Sequence, residues 1–410
     1  MKTIELKDTL NVMPEHDIIV VGGGVAGIAA AISAKREGKS VLLIEKSNML
    51  GGLATLGLIN WFVPMCNGRG VQICKGLCDE FVDLAIKYGY DSIPKAWQNG
   101  EPTEPTSVRY TTRYSPSIFA LTLTEYILAE GVELLYDTIV TMPLMNDGVC
   151  EGLVTENKSG RQFYPARIVI DASGDCDIMS KAGIECIVGE NYFTYQVHAI
   201  SLDSCKKAIE TEDIGRAVYT RSGGTASLYG TNHPQGMPTF NGINGDEITG
   251  YLTMNQLNLL SKLKKENRKH RDVVTLPGMP QFREVRCIKG EYILKPEDAY
   301  KHFDDSVCAV CDFDRPDYIF EIPYRTMRKE GFKNLLTAGR STAAEGYAWD
   351  VTRVIPPAIL TGEAAGVAAS MAIDRACDVN AIDISLLQEK LSSLGVIIHF
   401  DDSLIPKSTL

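Results

Sequence analysis

A chain of 410 residues is long enough for two or three domains, and 45% hydrophobic with 23% charged residues is the composition of an ordinary globular protein. A formal net charge of -11 argues against a surface built for a phosphate backbone, so no nucleic-acid partner is expected. Eleven cysteines, an odd number without an even framework, read as the reduced thiols of a cytoplasmic protein.

The first informative stretch is DIIVVGGGVAGIAAAISAKREGKSVLLIEK, residues 17–46. Its apolar first half, with Lys2 and Lys7 upstream, is compatible with a secretory signal, a membrane helix or a strand–turn–helix. Gly22, Gly23, Gly24 and Gly27 would weaken a membrane helix, and the run passes directly into another strand-like segment. Neither export nor a membrane is therefore expected. The β-branched run 17–21 predicts a buried parallel strand, 25–37 a helix and 40–45 the next strand. Between the first two lies the G-x-G-x-x-G spacing. Gly22 permits the tight turn, Gly24 lets the backbone approach a pyrophosphate, and Gly27 lets helix and strand pack closely. The diphosphate would rest on free N–H groups at the helix start. Glu45, 23 residues after Gly22, is placed to accept both hydroxyls of an adenosine ribose.

After the second strand, Gly51-Gly52 with Thr55 suits a backbone wrapped around an extended cofactor, not the ordinary helix of a nicotinamide enzyme. Cys66, Cys74 and Cys78 follow at irregular spacing, and Cys308 and Cys311 form a CxxC without a matching pair. These read as buried structural thiols, and no metal is expected. Residues 117–131 predict a helix. At 168–171 a short strand runs into Ala172-Ser173-Gly174-Asp175, a second glycine turn at a strand C-terminus, where open α/β sheets bind ligands. Further on, a basic stretch at 262–271 reads as a solvated helix face. NLLTAGR is a strand running into Gly339-Arg340, and 356–373 predicts a small-residue helix whose two prolines are tolerated at its start. That free helix start suits negative charge on a flavin's pyrimidine edge, so the series of turns favours FAD over NAD as cofactor. No second glycine motif follows a later strand, and a dedicated NAD(P)H domain is not expected.

In this order, the N-terminal motif with GGLAT, IDASGDCD, REVRCIKGEYIL, EIPYRTM, LLTAGRSTA and RVIPPAILTGEAAG resembles the FAD-dependent oxidoreductases of the glutathione-reductase-like class. That class is distantly akin to fumarate reductase flavoproteins, and the resemblance runs from about residue 18 to about residue 398. It implies an α/β fold: a Rossmann-like FAD-binding domain on a parallel sheet, with an inserted α+β substrate or cap domain. The FAD domain is then discontinuous, at 1–80, 130–190 and 330–378. A helical insertion would occupy 81–129, the cap 191–329, and a C-terminal helix and tail 379–410.

The resemblance also implies roles by position. Gly22, Gly24, Val25, Ala26 and Gly27 would hold the diphosphate, and Glu45 with Lys46 the adenosine end. Gly52 and Thr55 would lie along the cofactor, Val140 would give backbone contacts to adenine, and Ala172 and Gly174 would pass close to the adenosine part. Gly339 and Arg340 stand where relatives often carry Gly-Asp, so Arg340 would meet phosphate or substrate. Arg353, Val354, Ile355 and Pro356 would approach the isoalloxazine.

A flavin carries the redox chemistry itself, which leaves orientation and charge to the protein. Arg353, just before the flavin-directed helix, and Arg283 with Arg286 in FREVRC are the catalytic candidates. Two guanidinium groups three residues apart suit bidentate recognition of a carboxylate; salt bridges to Glu284 or Glu291 are the structural alternative. Glu345, Tyr347 and Asp350 are acid–base candidates on the loop before the helix, whereas His198, His233 and Cys66 read as structural. The expected function is hydride transfer between FAD and a small organic substrate, carboxylated if the arginines face it, with a separate electron donor or acceptor. The alternatives are a flavoprotein of non-redox chemistry, such as hydration or isomerisation, and a non-catalytic dinucleotide-binding sensor.

Overall fold

Ile18, Ile19, Val20 and Val21 are all buried, which a strand achieves only when both faces of its sheet are covered. The computed structural model describes residues 3–5 and 7–407; Lys2 lies outside them. Its central strands in chain order are β1 (His16–Val21), β2 (Val41–Ile44), β3 (Glu133–Leu135), β4 (Ile139–Asn146), β5 (Val149–Asn157), β6 (Gly160–Asp171) and β7 (Leu335–Thr337). The parallel order is β3-β2-β1-β6-β7, and β4, β5 and the first half of β6 form an antiparallel meander. The sequence predicted only the end of β6, because its first half is mostly half-buried and lacks a continuous apolar run.

The helices that matter here are α1 (Val25–Arg36), α2 (Leu77–Ile86), α3 (Pro116–Ala129), α4 (Gly245–Leu263), α5 (Tyr347–Thr352) and α6 (Ile355–Asp374). Ile18 and Val20 share a core with α1 and α6, while Ile19 and Val21 pack with Val140, Cys150, Leu153 and Tyr164 of the meander. Alternation along β1 thus divides helices from meander. The small residues of α6 have a packing reason. A Cβ at Gly362 would stand 2.2 Å from the carbonyl oxygen of Ala26, and one at Gly366 2.3 Å from that of Ala30. The two helices therefore meet backbone to backbone. Among the described residues no helix is long and apolar enough to cross a membrane.

The cores redraw the expected boundaries. Residues 81–129 are no separate insertion, since Phe81, Val82, Phe119, Leu123 and Ile127 belong to the core shared by β1 and α6. The hairpin of Ser306–Cys311 and Ile319–Pro323 joins that core too, as do Leu387, Leu391 and Phe400 of the C-terminal segment. The cap has cores of its own, Phe193, Phe240, Tyr251, Phe282 and Val285 in one and Tyr195, Val197 and Leu259 in the other. It occupies about residues 191–285 and holds three antiparallel strands, the helix Leu202–Thr211 and α4.

Candidate functional site

At the C-terminal ends of β1, β6 and β7 the backbone makes three turns around one cavity of about 400 Å³. Gly22 has φ 104°, and a Cβ there would stand 2.4 Å from the carbonyl oxygen of Ala172, so no other residue fits between the first two turns. At Gly27 a Cβ would stand 1.8 Å from the Gly22 carbonyl oxygen, which seals helix against turn. Gly24 differs: a Cβ there would meet nothing within 4 Å. The missing side chain faces open space, the condition for close approach of a pyrophosphate. Val25 and Ala26 line the same space, and no side chain caps α1. The far end repeats this arrangement, since Ile355 and Ala358 line the cavity and α6 is also uncapped. Two helix N-termini thus open on one cavity: α1 offers the orphan N–H groups of Val25 and Ala26, whereas α6, with prolines at 356 and 357, offers only that of Ile355.

Glu45, Lys46 and Ser47 line one end of the cavity. The Glu45 carboxylate is buried and accepts from the Gly23 N–H at 2.6 Å and from the N–H and hydroxyl of Ser47 at 2.7 and 2.6 Å. These bonds fix its orientation, and a carboxylate has about four acceptor positions, so capacity for a further donor remains. Gly52, Ala172, Gly174, Gly339 and Arg340 also line the cavity. Thr55 is buried and its hydroxyl donates to the Leu50 carbonyl, so it shapes the glycine turn from behind. Val140 lies in the meander core and not on the cavity. The guanidinium of Arg340 donates to the Gly174 carbonyl and to Asp175, both at 2.5 Å, tying two of the turns together. Gly278, Met279 and Pro280, not among the residues expected at the site, close the cavity from the cap. Gly278 donates its N–H to the Leu56 carbonyl at 2.9 Å, and the Pro-Gly-Met-Pro turn was the available signal.

A second cavity of about 310 Å³ shares Leu53, Arg353 and Ile355 with the first. Three guanidinium groups line it, those of Arg113, Arg283 and Arg353, and no carboxylate does. Its other walls include Trp61, Gln196, Gln281, Phe313 and Val354. Arg353 is almost buried and held by Asp350, whose carboxylate accepts from its Nε at 3.0 Å. Glu284 stands 3.5 Å from the same Nε. Arg283 donates to the Thr194 hydroxyl at 3.1 Å. Burial, then the like charge of Arg353, brings its pKa down to about 10. Burial, then the charge of Asp350, raises Glu284 to about 7, and the ion pair with Arg353 only partly offsets this. Both shifts come from packing several charges into one partly desolvated space.

Arg286 does not join this cluster. It opens the strand Arg286–Ile288, whereas Arg283 lies in the bend before that strand, so the two do not share a helical side. Its guanidinium instead bonds the Asp175 carbonyl, the Ser180 hydroxyl and the Asp177 carboxylate. Asp350 is occupied with Arg353, while Glu345 pairs with Lys295. The Tyr347 ring lies under the Arg315 guanidinium at 3.9 Å. His233 accepts from the Phe193 N–H inside the cap, and the Cys66 sulfur accepts from the Tyr110 N–H. His198 is buried on the cap strand Gln196–Ser201 and lines an outer groove. The sulfurs of Cys66, Cys74, Cys78, Cys308 and Cys311 do not gather into a ligand set of three among the described residues.

Comparison with known proteins follows the same parts of the chain. The family described as FAD dependent oxidoreductase has a sequence model that matches residues 17–220 and 246–391. A stretch of 79 residues is 57% identical to NADH:fumarate oxidoreductase of Klebsiella pneumoniae (strain 342), covering 18% of this chain and 8% of that protein. Another of 74 residues is 31% identical to 4-oxocyclohexanecarboxylate 2-dehydrogenase of Sinomonas cyclohexanicum, covering 18% and 12%. The matched stretches thus span only about a tenth of these curated relatives. Among solved structures, p-nitrophenol 4-monooxygenase PnpA from Pseudomonas putida DLL-E4 superposes with a TM-score of 0.50 at 13% identity, over 94% of this chain and 89% of that one. That likeness is one of fold alone.

Proposed function

The chain belongs to the FAD dependent oxidoreductase family, and from that premise we propose that it exchanges a hydride between FAD and a small carboxylate held in the arginine-lined cavity. The cradle fits the cofactor on its own terms. Gly24 leaves open the space a Cβ would fill, two helix starts lack caps, and Glu45 is oriented at one end. Gly22, Gly24, Val25 and Ala26 would hold the diphosphate, Glu45 and Lys46 the ribose end, and Gly339, Arg340 and Ile355 the flavin-side half. Bound FAD supplies two-electron redox chemistry.

The observation that carries the substrate class is the lining of the second cavity: three arginines and no acid. A carboxylate is the anion whose planar pair of oxygens matches a guanidinium fork. Arg353 lines both cavities and is prepositioned by Asp350, so it can orient a substrate anion against the cofactor side. Arg283 and Arg113 supply the remaining charge. Trp61, Phe313 and Leu58 exclude water from the apolar part of the substrate. A volume near 310 Å³ is at the lower end for small-molecule sites and suits a small acid. The printed names of two relatives, a fumarate oxidoreductase and a 4-oxocyclohexanecarboxylate dehydrogenase, are consistent with an acid substrate.

The test uses the flavin absorbance of the holoprotein. After anaerobic photoreduction, small unsaturated mono- and dicarboxylates, fumarate included, are mixed in and reoxidation is followed; saturated acids are offered to the oxidised protein. A subset of acids should react, and their amides should not. Arg353→Ala should keep the flavin spectrum and lose about 10- to 100-fold in kcat/KM, the worth of one charge-assisted hydrogen-bonded contact. Equal reactivity of acid and amide, or unchanged kinetics in Arg353→Ala, would overturn the assignment.

A further inference from the structure

We propose that His302, Glu321 and His399 form a binding site for a divalent transition-metal cation, oriented from outside by Asp402. The three residues come from separate segments: the loop after the Pro296–Asp298 turn, the strand Ile319–Pro323, and the C-terminal segment. Their ligand atoms all lie within 4.8 Å of one another, the one such group among the described residues. Glu321 is fully buried, and its two carboxylate oxygens face different imidazoles. Nδ1 of His302 stands 2.5 Å from Oε1, and Nδ1 of His399 stands 3.0 Å from Oε2. The Phe303 N–H also donates to Oε2, at 2.8 Å, and fixes the carboxylate.

His302 carries the chemical argument. A carboxylate stands at each of its ring nitrogens, Glu321 at Nδ1 and Asp402 at Nε2, the latter at 2.7 Å. A neutral imidazole has one N–H. When Nε2–H donates to Asp402, the Nδ1 lone pair faces the Glu321 oxygen, and a cation bonded to both satisfies them once the 2.5 Å pair parts to roughly 3.3 Å, the ligand separation of a tetrahedral site. Carboxylate–histidine–metal triads have this form, in which the outer acid sets the tautomer and ring orientation. The Phe400 ring stacks on His302 at 4.4 Å and holds it in place. Two imidazoles with one carboxylate suit zinc and its first-row neighbours, while magnesium and calcium take oxygen ligands.

Three protein ligands with two half-exposed histidines leave a fourth position to water. None of the three residues lines the cofactor or substrate cavity, so the site is separate from the redox centre. The C-terminal segment already lies along the hairpin through the Ala309 N–H to the Ile397 carbonyl at 2.6 Å and the Ser306 hydroxyl to the Ile398 carbonyl at 2.7 Å. A metal at His399 fastens it there. The sequence reading expected no metal because it weighed only cysteines; these histidines are 97 residues apart and carry no spacing signature.

The experiment uses tag-free holoprotein, stripped with a chelator and titrated with zinc sulfate by calorimetry, with thermal unfolding recorded in parallel. One equivalent of zinc per chain and a rise in Tm are expected, with no rise for magnesium chloride. His302→Ala and His399→Ala should keep the flavin spectrum and lose that equivalent; Asp402→Asn should weaken binding about 10-fold or more. His399→Gln, similar in size and polarity, repeats the test independently of any packing defect. Failure of the wild-type chain to bind one equivalent would sink the proposal. So would its persistence in both histidine variants, which would place the zinc on cysteines instead.

Discussion

The cradle between α1 and α6 is made of backbone, whereas the cavity beside it is made of long charged side chains. In the cradle the decisive groups are glycines and uncapped helix starts; a Cβ would stand 2.4 Å from backbone at Gly22 and 1.8 Å at Gly27, and would meet nothing at Gly24. In the cavity they are Arg113, Arg283 and Arg353, brought in by segments far apart in the chain. A backbone-made site accommodates almost no substitution at its tight points. A side-chain-made site can lose one charge and keep its shape.

The sharpest break of this contrast is within the cradle itself. Gly27→Val places a branched side chain where even a Cβ lies 1.8 Å from the Gly22 carbonyl oxygen. The strand–helix junction must move, with a loss of at least about 3 kcal/mol as for severe overpacking. The purified protein should be colourless and its Tm markedly lower. Gly24→Ala should behave differently, because its φ of -70° is ordinary and its Cβ meets nothing within 4 Å. Its Tm without cofactor should match wild type, while FAD affinity, read by fluorescence titration, falls about 10-fold, close to 1.4 kcal/mol. Equal Tm losses in the two variants would show that the open space at Gly24 is not a ligand's.

Arg283→Met tests the other side. Methionine replaces the buried stem and removes a guanidinium whose side-chain hydrogen bond goes to the Thr194 hydroxyl, not to a carboxylate. Flavin content should hold, and KM for a reactive carboxylate should rise about 10- to 100-fold. Arg286→Met should leave KM unchanged and lower stability by about 1 kcal/mol, since it only ties Asp175, Ser180 and Asp177 together. A KM effect at Arg286 equal to that at Arg283 would contradict the division between them.

The same contrast governs what the sequence made legible. The cradle was readable because its motif is contiguous: strand, turn and helix follow within 20 residues, and each glycine has a local reason. Glu45 was readable because it ends the next strand. Of the cavity, Arg283 and Arg353 were readable from their motifs; Arg113 was not, because it sits in a segment whose helices looked like an insertion, and its position depends on packing with residues across the chain. Spacing alone did not separate Arg286 from Arg283: a strand begins at Arg286, after the bend that holds Arg283, and its guanidinium goes to Asp175, Ser180 and Asp177. The cap's extent was missed for a related reason. The hairpin of residues 306–323 follows the cap in sequence, yet its valines, isoleucines and cysteines are buried in the main core.

Two carboxyls, one on α6 and one beside Arg353, are pushed up to about 7, and they give the finest test of the comparison. Glu363 on α6 is raised chiefly by burial, and its Oε2 accepts the Leu77 N–H at the start of α2. Between pH 4.5 and 7 the native state keeps a proton that the unfolded chain has lost, so stability falls as pH rises through that window. Glu363→Gln keeps an acceptor for Leu77 and removes the dependence, recovering up to about 2–3 kcal/mol at pH 8 in urea unfolding. Its KM profile should be that of wild type. Glu284 contributes to stability with the same sign, but its charge also sits beside Arg353. As pH rises through 7 its carboxylate forms and offsets that guanidinium, so KM for a carboxylate should rise about 3- to 10-fold, the worth of a partly screened charge. In Glu284→Gln the KM should stay flat across the same range, and a wild-type slope there would remove Glu284 from the site.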